Sequence, residues 1–240
     1  MMRAFCLLVV MSFATDAAAQ QLHGEPCPFG LHDPQLAFDE IEGELQPSMM
    51  DQPTSQGPLP CGLAVPIDGK AGWVGVNVGT LPRHLVATVE LDVSELDLEA
   101  GETIEILQVF FPTGVPLPGM AVIPTASVSL GGSKMSFTWR NGLVTEAGSI
   151  EVPAPRFTLV LTVDRGRPDT GASLGLSFPG HPDAGMKLGP VDLVGVAIAA
   201  QPAVAKVRFG VRATSPAQFN GERGRLRFRP ISVESGWGRP

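Results

Sequence analysis

The sequence has 240 residues, 44% of them apolar, with 28 Gly, 23 Pro, no Tyr and a net charge of −7. So much glycine and proline excludes a helix-rich fold and requires many turns between short strands. Charge is divided along the chain: Gln20 to Glu105 carries 15 acids and two bases (Lys70, Arg83), whereas eight bases and two acids (Glu222, Glu234) follow Ala200.

Residues 1–19 read as a signal peptide. Arg3 gives a positive start, Ala4 to Ala14 form a short apolar run, and Ala17, Ala18 and Ala19 supply small residues for cleavage. The run is too short to span a bilayer. The expected product is secreted or periplasmic, about 220 residues long, with no membrane span. Cleavage removes Cys6 and leaves Cys27 and Cys61, an even pair in an export setting, so a disulfide is expected. Closing that loop would stabilise the fold by about 3–4 kcal/mol. Nucleic acid is a poor partner for an acidic exported chain. The two charge blocks are instead expected side by side in one sheet, where opposite-charge cross-strand pairs contribute about 0.2–1 kcal/mol each.

Residues 20–60 are rich in Pro, Gln and acid and read as an irregular arm with one short strand, Gln35 to Ile41, centred on Phe38. Cys61 to Ile67 and Trp73 to Val78 read as strands about an Asp68-Gly69-Lys70 turn. Leu85 to Val93 alternates cleanly, with Leu85, Ala87, Val89, Leu91 and Val93 on one face and Thr88, Glu90 and Asp92 on the other. An acidic link, Ser94 to Glu102, leads into a second strand that becomes apolar on both sides at Leu107, Val109 and Phe111. Pro112 to Pro124, with four prolines, is a loop rather than a central strand.

Ala126, Val128 and Leu130, then Gly131-Gly132, then Met135, Phe137 and Trp139 predict a tight hairpin. Phe157 to Val163 and Ala172 to Phe178 form the next strands about Arg165 to Gly171, with a loop at Pro179 to Gly185. Val191 to Ala200 is continuously apolar, as in a strand covered on both faces. Val207, Phe209 and Val211 alternate with Lys206, Arg208 and Arg212; Leu226 and Phe228 alternate with Arg225, Arg227 and Arg229. Pro230 marks an edge or a bulge, and residues 235–240 a tail. A dozen short strands without helical units predict an all-β sandwich of two antiparallel sheets over residues 61–234.

The order of these stretches resembles the concanavalin A-like lectin/glucanase jelly rolls, in particular the laminin-G-like modules of exported bacterial proteins. CGLAVPI with WVGVNV is similar to their entry strands, LVATVELDVSELDLEAGETIEILQVFF to their long strand and link, and KVRFGVR with GRLRFRPISV to their exit. The resemblance implies first and last strands in one sheet, with Glu90 and Asp92 near Arg225, Arg227 and Arg229. It also implies carbohydrate-binding or adhesive modules, with glycoside hydrolases as the catalytic members. The acidic string of those hydrolases is approached only by Glu90, Asp92 and Glu95, with Glu95 displaced into the link and no neighbouring aromatics.

Catalytic motifs are sparse. Ser133 and Ser177 lack the flanking glycine of a nucleophile elbow, and His23, His32, His84 and His181 lie apart. Asp39, Glu40 and Glu42 are candidate calcium ligands, with Asp92, Glu95 and Asp97 a second cluster. Trp73 lies opposite the Val74, Val76 and Val78 face and is the candidate binding platform, core packing being its other role; Trp139 shares a face with Met135 and Phe137, as core residues do. The expectation is a non-catalytic binding module whose sandwich-end loops recognise a polysaccharide or an extracellular or envelope protein. The alternatives are a glycoside hydrolase using Glu90, Asp92 or Glu95, and a structural envelope protein.

Overall fold

The computed structural model describes residues 20–23, 38–48, 50, 53–54, 57–58, 62–80, 84–110, 126–141, 144–164, 172–191, 204–215 and 221–236. The expected signal peptide over residues 1–19, Cys27 and Cys61 with their expected disulfide, the expected loops at 112–124 and 165–171, and residues 192–200 lie outside the described residues.

The N-terminal segment supplies β1 (Gln20–His23), β2 (Glu40–Glu42), β3 (Gln46–Ser48), β4 (Pro53–Thr54) and β5 (Gly57–Pro58). There follow β6 (Gly62–Pro66), β7 (Gly72–Thr80), β8 (His84–Asp92), β9 (Thr103–Phe110), β10 (Ala126–Gly131) and β11 (Lys134–Asn141). The chain closes with β12 (Val144–Glu151), β13 (Arg156–Asp164), β14 (Ala172–Ser177), β15 (Met186–Val191), β16 (Val204–Ser215) and β17 (Arg225–Gly236). A single 3₁₀ turn, Pro182–Ala184, sits among the described residues.

The strands form two antiparallel sheets packed face to face, a β-sandwich of jelly-roll type. One has the order β15-β14-β13-β8-β17-β6-β3 with β1 also on β17; the other runs β12-β11-β10-β9-β16-β7-β2. Inward side chains alternate as the sequence predicts. Leu85, Ala87, Val89 and Leu91 of β8 and Phe157, Leu159 and Leu161 of β13 share one core with Val74 and Val76 of β7 and Val207 and Phe209 of β16. Burial of this apolar surface, at about 25 cal/mol per Å², is the main stabilising term.

Three local features explain where the alternation breaks. Pairing between β9 and β10 steps from Leu107–Val128 to Glu105–Ser129, which makes Ile106 an extra bulge residue and puts Ile104 and Leu107 on the same inner face. The run that is apolar on both sides therefore needs no second buried layer to explain it. Pro230 coincides with a register shift between β17 and β8, as a residue without an N–H requires inside a sheet. The hairpin β10–β11 closes on Gly132 at φ +59°, a conformation that glycine adopts without strain.

The strands β8 and β9 do not pair with each other. The acidic link 94–102 carries the chain from one sheet to the other, and the Arg223 carbonyl accepts the Asp97 N–H at 3.1 Å. β1, β2 and β3 of the N-terminal segment join the two sheets, and Ser235 and Gly236 of the expected tail pair with Leu85 and His84.

Candidate functional site

Backbone register alone brings a row of residues together on the outer face of the seven-stranded sheet. Glu40 of β2 pairs with Gly75 of β7, Gly75 with Arg208 of β16, Arg208 with Gln108 of β9, and Gln108 with Ser127 of β10. Trp73, two residues before Gly75, lies on the same face. The Arg208 guanidinium sits 4.6 Å from the centre of the Trp73 ring and 4.8 Å from that of Phe110. Each such cation–π contact contributes about 0.5–2 kcal/mol, more when partly desolvated. The Glu40 carboxylate grips the same guanidinium with two hydrogen bonds, Nη2 to Oε1 at 2.9 Å and Nε to Oε2 at 3.1 Å, and Lys206 Nζ donates to Oε2 at 2.7 Å. Burial works to raise the Glu40 pKa, but the hydrogen bonds and charges of Arg208 and Lys206 outweigh it and hold the carboxyl below its ordinary 4.5.

Two glycines make this arrangement possible. A Cβ at Gly75 would stand 3.0 Å from Glu40 Oε2, so the bare backbone there lets the ion pair cross β7. Gly210 has φ +142°, and a Cβ there would collide with the Gly72 carbonyl oxygen; the resulting bulge lets β16 close on Trp73. Beside the stack, Gln108 and Ser127 are buried although they belong to the outer face, and Gln108 Nε2 donates to Glu105 Oε2 at 2.5 Å. A notch of about 10 Å³ opens there, lined by Trp73, Glu105, Gln108, Arg208 and Arg212 among others. Trp73 Nε1 is buried with no hydrogen-bond partner among the described residues.

Trp73 is thus on the predicted face but is not an open platform. It is only 8% exposed, with Arg208 lying over its ring. Trp139 is in the core, as its alternation with Met135 and Phe137 predicts. The acidic trio does not converge on a metal position. Asp39 Oδ2 accepts the Asn77 N–H at 2.6 Å, Glu40 is spent on Arg208 and Lys206, and Glu42 is exposed. Among the described residues no group of three His, Cys, Asp or Glu side chains stands ready to hold a metal ion, which also covers Asp92, Glu95 and Asp97.

The hydrolase candidates lie on the outer face of the other sheet, where β8 pairs with β17. Register sets Glu90 opposite Arg229 and Asp92 opposite Arg227, the juxtaposition the charge blocks predict. Glu90 is 8% exposed, paired with Arg229 and with Arg156 Nη2 at 2.6 Å. Asp92 Oδ1 accepts from the Ser94 N–H and hydroxyl, and Glu95 pairs with Arg227. At one end of the sandwich, Val93, Leu96, Asp97, Leu98, Leu130 and Gly132 line a cavity of about 120 Å³.

No family model matches the sequence, and no match was found among curated proteins. Solved structures with the same fold do exist. The endo-β-1,4-glucuronan lyase of the fungus Trichoderma reesei is similar at TM-score 0.56 and 13% identity, over 83% of this chain and 92% of the lyase. The binding domain of botulinum neurotoxin serotype C1 is similar at 0.52 and 10%, over 81% of this chain and 43% of that one. The binding domain of botulinum neurotoxin DC, solved in complex with SialylT, is similar at 0.50 and 10%, over 81% and 42%. The chain spans less than half of either toxin domain. At such identities the likeness establishes the sandwich fold and nothing finer.

Sequence reading did not find Glu40, Phe110, Gln108 and Arg208 as one site. The available signal was the alternation of Lys206, Arg208 and Arg212 with Val207, Phe209 and Val211, which puts the cations on the wet face. Their partners, about 100 to 170 positions distant on β2, β7 and β9, are assigned only by strand order.

Proposed function

We propose that this chain is a non-catalytic exported binding module, laminin-G-like within the concanavalin A-like sandwiches, that recognises a polysaccharide. An extracellular or envelope protein is the second partner class. The observation that carries this reading is the outer face of the seven-stranded sheet. A rigid aromatic–guanidinium stack is flanked there by the half-buried Glu105 and Lys206 and the exposed Arg212, polar groups that can orient a ligand. Support also comes from what similar folds do elsewhere: one neighbour is named for a polysaccharide, glucuronan, and two are binding domains. The non-catalytic half is supported by Glu90, Asp92 and Glu95, whose carboxylates are each engaged by arginines or by backbone and hydroxyl donors. A retaining pair would flank a cleft with carboxyls about 5 Å apart.

A polysaccharide array followed by calorimetry tests the reading. At least one polysaccharide should bind, with no sugar released over hours. Release that disappears in Glu90→Gln would overturn the non-catalytic half, and an array without any bound glycan would overturn the first partner class.

A further inference from the structure

A strand at the end of a sheet turns alternate N–H and C=O groups outward without a partner, and natural folds blunt such edges. Among the described residues the two large sheets end on β15, β3, β12 and β2, with β1 as a short branch on β17. Three of these ends are blunted. β15 carries Gly189 at φ +90° and then Pro190. β3 and β2 have three residues each; β3 contains Pro47, and beside β2 the Asp39 carboxylate accepts the Asn77 N–H at 2.6 Å. The fourth, β12, runs for eight residues without proline and pairs with β11 alone among the described residues. The Val152 N–H donates to the Ser133 carbonyl at 2.8 Å, so the even-numbered residues of β12 turn their backbone groups to β11. Thr145, Ala147, Ser149 and Glu151 turn theirs away from it. Ala147, Ser149 and Glu151 are exposed, and the side chains of Ala147 and Ser149 are too short to screen the backbone beside them.

We propose that the free edge of β12 pairs antiparallel with β12 of a second copy of this chain, which joins the two seven-stranded sheets into one continuous sheet. The edge is its own complement. With the two-fold axis at Gly148, Ala147 falls opposite Ser149 of the second copy and Thr145 opposite Glu151, so every outward-facing residue of both strands exchanges backbone hydrogen bonds at once. Gly148 of each copy meets the other on the axis, at a non-hydrogen-bonded position where facing side chains come closest, and glycine brings none. No acid falls opposite an acid: the register places Glu151 opposite Thr145 and Glu146 opposite Ile150. That self-complementarity singles out a second copy over an unrelated extended segment. The axis stands perpendicular to the sheet, so the two Arg208–Trp73 stacks come to lie on the same side, roughly 40 Å apart at about 4.8 Å per strand. The pairing does not depend on the polysaccharide reading above.

Sedimentation equilibrium of the purified chain from about 5 to about 500 µM measures the association, and a reversible monomer–dimer equilibrium is expected. Ala147→Pro removes an N–H that points out of the sheet and leaves the bonds to β11 in place. The dimer should weaken about tenfold while the circular dichroism and melting of the monomer stay near the parent. Two double variants test the register. Ala147→Lys with Ser149→Glu puts opposite charges face to face across the axis; Ala147→Lys with Ser149→Lys puts like charges there. The first should dimerise about tenfold more tightly than the second. A chain that stays monomeric throughout overturns the proposal. A monomer whose Ala147 and Ser149 amides gain protection from hydrogen exchange only in complex with another protein overturns it too, and gives the edge to an extended partner segment. A dimer unaffected by Ala147→Pro lies elsewhere on the surface, which also sinks the idea. Equal association of the two double variants overturns the Gly148-centred register.

Discussion

The outer faces of the two sheets solve the same electrostatic problem differently. On the eight-stranded sheet, acids of β8 and its link meet the arginines of β17 and β13. Glu90 takes Arg229 and Arg156, and Glu95 takes Arg227. Charge is matched by charge, as in a structural ladder. On the seven-stranded sheet, an acid from the N-terminal segment meets cations of β16, but the guanidinium is also wedged between two aromatic rings. Trp73 Nε1 is buried there without a hydrogen-bond partner among the described residues. An ion pair by itself organises strands; an ion pair stacked on aromatic rings also fixes the rings it touches.

The largest way to break this comparison is at the backbone. Gly210→Ala puts a Cβ against the Gly72 carbonyl oxygen at a positive φ, and should remove about 3 kcal/mol or more of stability. Guanidinium titration followed by tryptophan fluorescence measures it, and a stability within about 1 kcal/mol of the parent would show that the bulge is not needed. Next is Glu90→Gln, which leaves Arg229 and Arg156 with an uncharged partner at a site little exposed to water. A loss of about 2–4 kcal/mol is expected. Glu40→Gln should cost less, about 1 kcal/mol, because its carboxylate is more exposed and the two rings still hold Arg208. The order of these last two losses tests whether the eight-stranded face is the more structural of the pair.

The smallest expected effect is a pH dependence. Burial opposes ionisation of Glu40, but Arg208 and Lys206 prevail and depress its pKa below 4.5; hydrogen bonding from Arg223 depresses that of Glu102. A carboxyl whose pKa is lower folded than unfolded contributes its full stabilisation above the unfolded value, near 4.5, and loses it as pH falls through the folded value. Thermal unfolding should therefore be level across neutral pH and weaken on acidification below about 4.5, with a shallower decline in Glu40→Gln. An unchanged acid slope in that variant would show that Glu40 ionises alike in both states.

Much of this was legible in the chain. Strict alternation at Leu85 to Leu91 and Phe157 to Val163 predicts central strands with one inner face, and both are central in the eight-stranded sheet. The acidic and basic blocks predict neighbouring strands, and the Glu90–Arg229 register realises it. Edge strands were less visible. β12 has few large apolar residues, and β15 contains Gly189 and Pro190, which an edge tolerates and an alternation pattern does not reveal. The alternation puts Trp73 on the outer face, but the arginine that lies over its ring is not legible there, because nothing near it in sequence announces Arg208.

By itself, then, the order of side chains determined which residues face inward, since period-two burial is a local property of an extended backbone. It also determined that opposite charges would meet, since uncompensated blocks of one sign repel. Only the tertiary structure decided which acid meets which base, and that an arginine would cover the tryptophan. Those outcomes depend on strand order, on the bulges at Ile106 and Gly210, and on bare glycine backbone at Gly75, and none of these is encoded within a single strand.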